Sequence, residues 1–162
     1  MTGQTGRMQF LFTRPHPLAE QLAGHEVVFK EVDDYYDPED TDPIGRDYPL
    51  KRFLNQIDPD VLVLVDLGRV FYAKAAVLKW LNRRKKIVLG IADRKGSRRI
   101  RGCTVGAQHC SVLVTADPLL AQENTVNGRT VLWTGSAEPV FAALEHIRTR
   151  TKYTRDSPRP WQ

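Results

Sequence analysis

Arg14 and His16 stand two residues apart, directly after an apolar run, and together offer a guanidinium and an imidazole to an anion. Arginine binds phosphate or carboxylate through two parallel N–H bonds. Histidine beside a carboxylate is a general base near neutral pH, because the acid orients the ring and supports its protonated form. Two acids close apolar runs in the same way: Asp66 follows Asp60–Val65, and Asp93 follows Ile87–Ala92. Arg69, Arg94 and Lys95 come shortly after them. Read as a site, this pattern makes His16 and Asp93 the catalytic pair. Arg14, Asp66, Arg69, Arg94 and Lys95 then bind an anionic substrate. Asp66 serves either to hold a hydroxyl or to cap a helix expected from Val70, and the plainer role for His16 is to cap or pack at a helix start.

The apolar runs themselves show what positions these residues. Gln9–Arg14, Asp60–Asp66 and Ile87–Asp93 carry Val, Ile, Leu and Phe without alternation, as strands do when both faces are covered. Amphipathic, helix-length segments separate them, so the chain reads as a doubly wound α/β/α three-layer sandwich. It is Rossmann-like, with a mostly parallel sheet of about six strands. Ligands of such sheets bind beyond the carboxyl ends of the strands. With the loop after strand one beside the loop after strand four, Asp93, Arg94 and Lys95 approach Arg14 and His16.

The remaining elements follow from caps and periodicity. Helices are expected at Pro15–Gly24, Pro49–Ile57, Val70–Lys86 (the longest), around Ile100–Cys110, from Asp117–Pro118, and at Glu138–Arg150. Further strands are expected at His25–Val32, Ser111–Thr115 and Arg129–Thr134. Asp33–Tyr48 reads as a long polar loop whose Tyr35, Tyr36 and Tyr48 suit either stacking on a ligand or packing on the domain rim.

Composition narrows the classes. The 162 residues, 41% hydrophobic and 27% charged, fit one domain. We place it at 8–152, between a disordered leader at 1–7 and a flexible tail at 153–162. No run is long enough to span a membrane and the N-terminus lacks the apolar core of a signal peptide, so a cytoplasmic location is expected. Cys103 and Cys110 have the spacing of neither a disulfide framework nor a zinc site and read as reduced thiols. No metal and no cofactor are expected. The turn after strand one has no glycine fingerprint, and Pro15 and Pro17 remove N–H groups that a pyrophosphate would use, which argues against NAD and P-loop nucleotides. A phosphoacceptor receiver domain is disfavoured as well, since its acidic pair belongs after the first strand and Asp33–Asp34 follows the second. The net charge of +5 hides eight acids against one lysine over Glu26–Asp42, and nine bases against one aspartate over Arg83–Arg101. Such dipolar charge steers anions or helps two copies dock, or simply solvates helix ends and loops.

The segment Ser111-Val-Leu-Val-Thr-Ala-Asp-Pro-Leu-Leu-Ala-Gln-Glu123, with Arg129-Thr-Val-Leu-Trp-Thr-Gly-Ser-Ala-Glu-Pro-Val-Phe141, resembles the end of the N-terminal domain of GT-B glycosyltransferases. It looks closest to their CgeB-like branch. In that comparison Thr134–Glu138 corresponds to the family's turn, and Phe141 to the Phe entering its interdomain linker. The resemblance implies an acceptor-side domain for glycosyl transfer from a nucleotide-sugar to a hydroxyl. His16 or Asp93 would be the base, with Arg14 and Arg94 on an anionic group. The donor domain of that family has no counterpart here, so catalysis would need a partner chain. A shorter similarity, Leu11–Leu22 to the opening of uroporphyrinogen III synthase, amounts to a shared strand, turn and helix. The reading from a different class is a non-catalytic Rossmann-like module that takes nucleic acid, a protein partner or a second copy on its basic face. Trp80 is the one aromatic beside that basic run, which gives little support for base stacking.

Overall fold

All five residues of Val61–Val65 and all five of Ile87–Ile91 are buried, as non-alternating apolar sequence requires of strands covered on both faces. A computed structural model describes residues 7–32, 49–70, 72–83, 86–93, 105–123 and 130–156. Its strands are β1 (Gln9–Phe12), β2 (Glu26–Phe29), β3 (Val61–Val65), β4 (Ile87–Ile91), β5 (Val112–Thr115) and β6 (Thr130–Leu132). They form one six-stranded sheet in the order β2-β1-β3-β4-β5-β6, and every pairing is parallel.

Alternate side chains of each strand enter different cores, and the helices divide between the same two. Phe10, Phe12, Val63, Leu89 and Val114 pack with Leu18 of the 3-10 turn Pro17–Gln21 and with Val140, Leu144 and Ile147 of helix α4 (Glu138–Asp156). Leu11, Leu62, Leu64, Val88 and Leu113 pack with Leu50 and Leu54 of α1 (Pro49–Ile57), Val77 and Trp80 of α2 (Lys74–Leu81), and Leu120 of α3 (Pro118–Glu123). The result is the three-layer α/β/α sandwich expected from the sequence. No helix of the described residues is long and apolar enough to cross a membrane.

Several elements differ from expectation for identifiable reasons. The longest helix is α4, which runs past Arg150 to Asp156, and α2 covers only Lys74–Leu81 of the expected Val70–Lys86. Val70 is held in a bridge with Leu67, Tyr72 is drawn wholly into the core, and Ala73 is extended, so helical geometry begins at Lys74. Arg83 leaves the helix end to bond the α1–β3 turn. The expected helix Pro15–Gly24 is a five-residue 3-10 turn, and the described part of the expected Ile100–Cys110 helix holds only the 3-10 turn Ala107–His109. Residues 1–6, 33–48, 71, 84–85, 94–104, 124–129 and 157–162 lie outside the described residues. With them go the expected leader, acidic loop and tail end, together with Arg94, Lys95 and Cys103.

Gly90 marks the tightest packing. A Cβ there would lie 2.5 Å from Cys110 Sγ and 3.0 Å from Leu67 Cδ2. The Cys110 thiol donates to the Gly106 carbonyl at 3.6 Å, and burial pushes its pKa up to about 12, so it stays protonated at neutral pH. Gly90→Ala is therefore expected to destabilise the domain by about 1–3 kcal/mol through overpacking. Adding Cys110→Ala should recover most of that loss. Urea unfolding of the two variants checks the loss and its recovery.

Candidate functional site

The strand order decides which loops meet. From β1 the chain crosses to β2 on one side of the sheet over the Leu18 face, and from β2 it crosses to β3, on the other side of β1, over the Leu50 face. The carboxyl ends of β1 and β3 consequently flank the crevice where the crossovers diverge, the usual ligand position in such sheets. The expectation that the loop after strand one lies beside that after strand four is corrected here: β3 intervenes. Asp93 is accordingly not the partner of His16. It forms an ion pair with Arg69, Nη2 to Oδ2 at 2.7 Å, with both side chains about half exposed (55% and 51%). An exposed pair of this kind contributes roughly 0–1 kcal/mol.

A buried hydroxyl network ties the two strand ends together. Tyr72 and Thr13 are fully buried, and the Tyr72 hydroxyl donates to the Val65 carbonyl. Thr13 Oγ1 accepts from the Val65 N–H at 3.1 Å. It shares its own proton between the Tyr72 oxygen at 2.7 Å and the Val63 carbonyl at 3.2 Å. Burial drives the Tyr72 phenol well above its ordinary pKa, against the opposing pull of Thr13 and Arg14, so the group is a permanent O–H.

Arg14 follows this network. Its Nε is buried and has no hydrogen-bond partner, although nearly all buried donors in proteins have one. Trp80 Nε1 is the other such atom among the described residues, but it sits within the α2 core rather than at the strand ends.

His16 caps the 3-10 turn, its Nδ1 accepting the Leu18 N–H at 3.0 Å. That bond assigns the neutral ring a proton on Nε2, so it presents a donor, not the lone pair a general base needs. The ring meets Trp133 edge-on, centroids 5.3 Å apart at 61°. Burial lowers the His16 pKa, while the Asp66 carboxylate acts in the opposite direction. The acid that influences His16 is thus Asp66. Asp66 is exposed, adopts φ 61°, and its carbonyl accepts from Arg69 and Val70 N–H at 3.0 and 3.1 Å. Gly68, at φ 93°, completes this tight turn. With α2 starting at Lys74, Asp66 does not cap it.

The rim is clamped from the α4 side. Gln21 Nε2 donates to the Gly135 carbonyl and its Oε1 accepts the Ala137 N–H, both at 2.8 Å, while Trp133 N–H bonds the Thr115 carbonyl at 2.7 Å. The described start of the basic run serves the opposite end of the sheet. Arg83 bonds Asp58, Asn55 and the Leu54 carbonyl, and Lys86 bonds Asp58 and the Pro59 carbonyl. Among the described residues no group of three or more His, Cys, Asp or Glu could hold a metal. Of the sequence-derived site, the structure brings Arg14, His16 and Asp66 to one crevice, sets Arg69 and Asp93 on each other, and leaves Arg94 and Lys95 undescribed. Thr13, Tyr72, Trp133 and Gln21 were not anticipated. The Leu67–Gly68 turn signal was the one hint that Tyr72 precedes its helix.

No family model matches the chain, and no curated protein matches it at a significant level.

Two outcomes follow. Tyr72→Phe leaves buried partners at Thr13 and Val65 short of a bond and should cost about 1–3 kcal/mol in urea unfolding. His16 binds protons more weakly folded than unfolded, so its contribution to stability is full above the unfolded value of 6.5 and is lost as pH falls through the lowered folded pKa. His16→Asn keeps a capping oxygen and should flatten that part of the stability–pH curve. An unchanged slope would contradict the assignment.

Proposed function

We propose that the chain is a ligand-binding α/β domain that takes the anionic group of a small molecule at the β1/β3 crevice through Arg14. The single observation that supports this reading is the Arg14 Nε, a buried donor on a charged side chain, left unpaired where sheets of this type bind ligands. His16 Nε2–H, two residues on, adds a second donor. Pro15 and Pro17 leave the turn poor in backbone donors, so the guanidinium carries the recognition.

The resemblance of residues 111–141 extends the proposal to the acceptor side of a GT-B-like glycosyltransferase. Transfer from a nucleotide-sugar would then need a donor-binding partner. In that form the reaction's base is Asp66, the carboxylate that acts electrostatically on His16 and Tyr72, because the His16 lone pair is occupied and Asp93 is paired. The nucleic-acid module has less to support it, since Arg83 and Lys86 bond within the protein.

Arg14→Met separates the ligand role from a structural one. It keeps the apolar stem and removes both the unpaired Nε donor and the bond that the guanidinium gives Tyr72, so thermal stability should change by no more than about 1 kcal/mol. Affinity for inorganic phosphate, measured by calorimetry at low salt, should fall about tenfold or more. A variant that binds phosphate as well as the parent does would sink the proposal. Stabilisation of the parent by one of the UDP-, GDP- or ADP-sugars would favour the transferase form.

A further inference from the structure

The crevice holds more chemistry than an anion needs. His16 is its hub: Arg14 is two residues away, the Trp133 ring lies against it at 5.3 Å, and Asp66 acts on it electrostatically. Cation, N–H donor, carboxylate and aromatic face thus surround one turn. A bare phosphate uses the first two and is repelled by the third. Asp66 is also held at φ 61°, a conformation uncommon outside glycine, and unlike Asp58 (φ 51°), which pairs with Arg83 and Lys86, its carboxylate shows no ion pair among the described residues. An exposed carboxylate kept beside an anion site suits a ligand that brings hydroxyl donors along with its charge, because an ionised carboxylate only accepts. Trp133 is half-buried, its ring packed on the core and against His16, and its open part offers apolar surface for the C–H side of a ring.

We infer that the ligand is a sugar phosphate or a similar polyhydroxylated phosphate ester: Arg14 and His16 take the phosphate, Asp66 accepts from ring hydroxyls, and Trp133 covers the ring. This rests on the anion reading proposed above and names its substrate class.

The test titrates the full chain by calorimetry with inorganic phosphate, ribose 5-phosphate, glucose 1-phosphate and glutamate, beside Asp66→Asn and Arg14→Met. Asparagine tolerates a positive φ, so Asp66→Asn keeps the turn; Asp66→Gly is the second variant, and thermal unfolding checks that both remain folded. One of the sugar phosphates should bind the parent about tenfold more tightly than inorganic phosphate, a difference of about 1.4 kcal/mol. Asp66→Asn and Asp66→Gly should erase that preference while binding inorganic phosphate equally well or better. Equal binding of phosphate and its sugar esters by the parent, or an undiminished preference in both Asp66 variants, overturns the inference and leaves the anion site standing. Tighter binding of glutamate overturns it too, pointing Asp66 at an ammonium. If no anion binds, or Arg14→Met changes nothing, the underlying reading fails as well.

Discussion

Polar atoms at the carboxyl ends of β1 and β3 are buried by the layers above and below the sheet, and burial obliges them to find partners. One hydroxyl pair, Thr13 with Tyr72, supplies those partners, joining Thr13 to Val63 and Val65 across the strand pair. To place its hydroxyl there, Tyr72 must enter the core immediately after the Asp66–Val70 turn. That requirement postpones α2 to Lys74 and leaves Asp66 in the open at the crevice instead of at a helix N-terminus. The network satisfies the Thr13 and Tyr72 hydroxyls and takes a contact from the Arg14 guanidinium, but leaves the Arg14 Nε unpaired. A bonded hydroxyl network and a buried, unpaired donor are therefore adjacent.

The charge of the chain sorts by position more than by sign. At the α1–β3 turn, Asp58, at φ 51°, gathers Arg83 and Lys86, and these contacts act as structural ties. At the crevice the described residues show no ion pair between Arg14 and Asp66, and Asp66 acts electrostatically on His16. Gln21 and Trp133 link the β1 turn to the start of α4, so the crevice wall is built on two elements of the same layer.

Much of the fold was legible in the sequence because doubly buried strands leave an unmistakable trace: Val61–Val65 and Ile87–Ile91 lie within their apolar runs. The α1 boundaries were legible too, through Pro49 and the Leu50, Phe53, Leu54, Ile57 spacing. Strand order was not, because no local pattern says whether the chain returns beside β1 as its third strand or its fourth. That single ambiguity misplaced Asp93 beside His16 and overlooked Asp66 in that role. Arg14 stood out in the sequence as the charged residue that follows a buried strand, and its Nε is buried there without a partner. Tyr72 and Thr13 were missed because a lone buried hydroxyl gives no periodic signal and acquires meaning only when two distant turns meet.

The central claim is that the buried Nε–H of Arg14 is an unfilled anion donor. Labelling the arginines and following their Nε–H resonances during a phosphate titration tests it directly. The Arg14 signal should move most, saturate, and exchange with water more slowly once phosphate is bound. An Arg14 signal that stays fixed while exposed arginines such as Arg69 shift would contradict it.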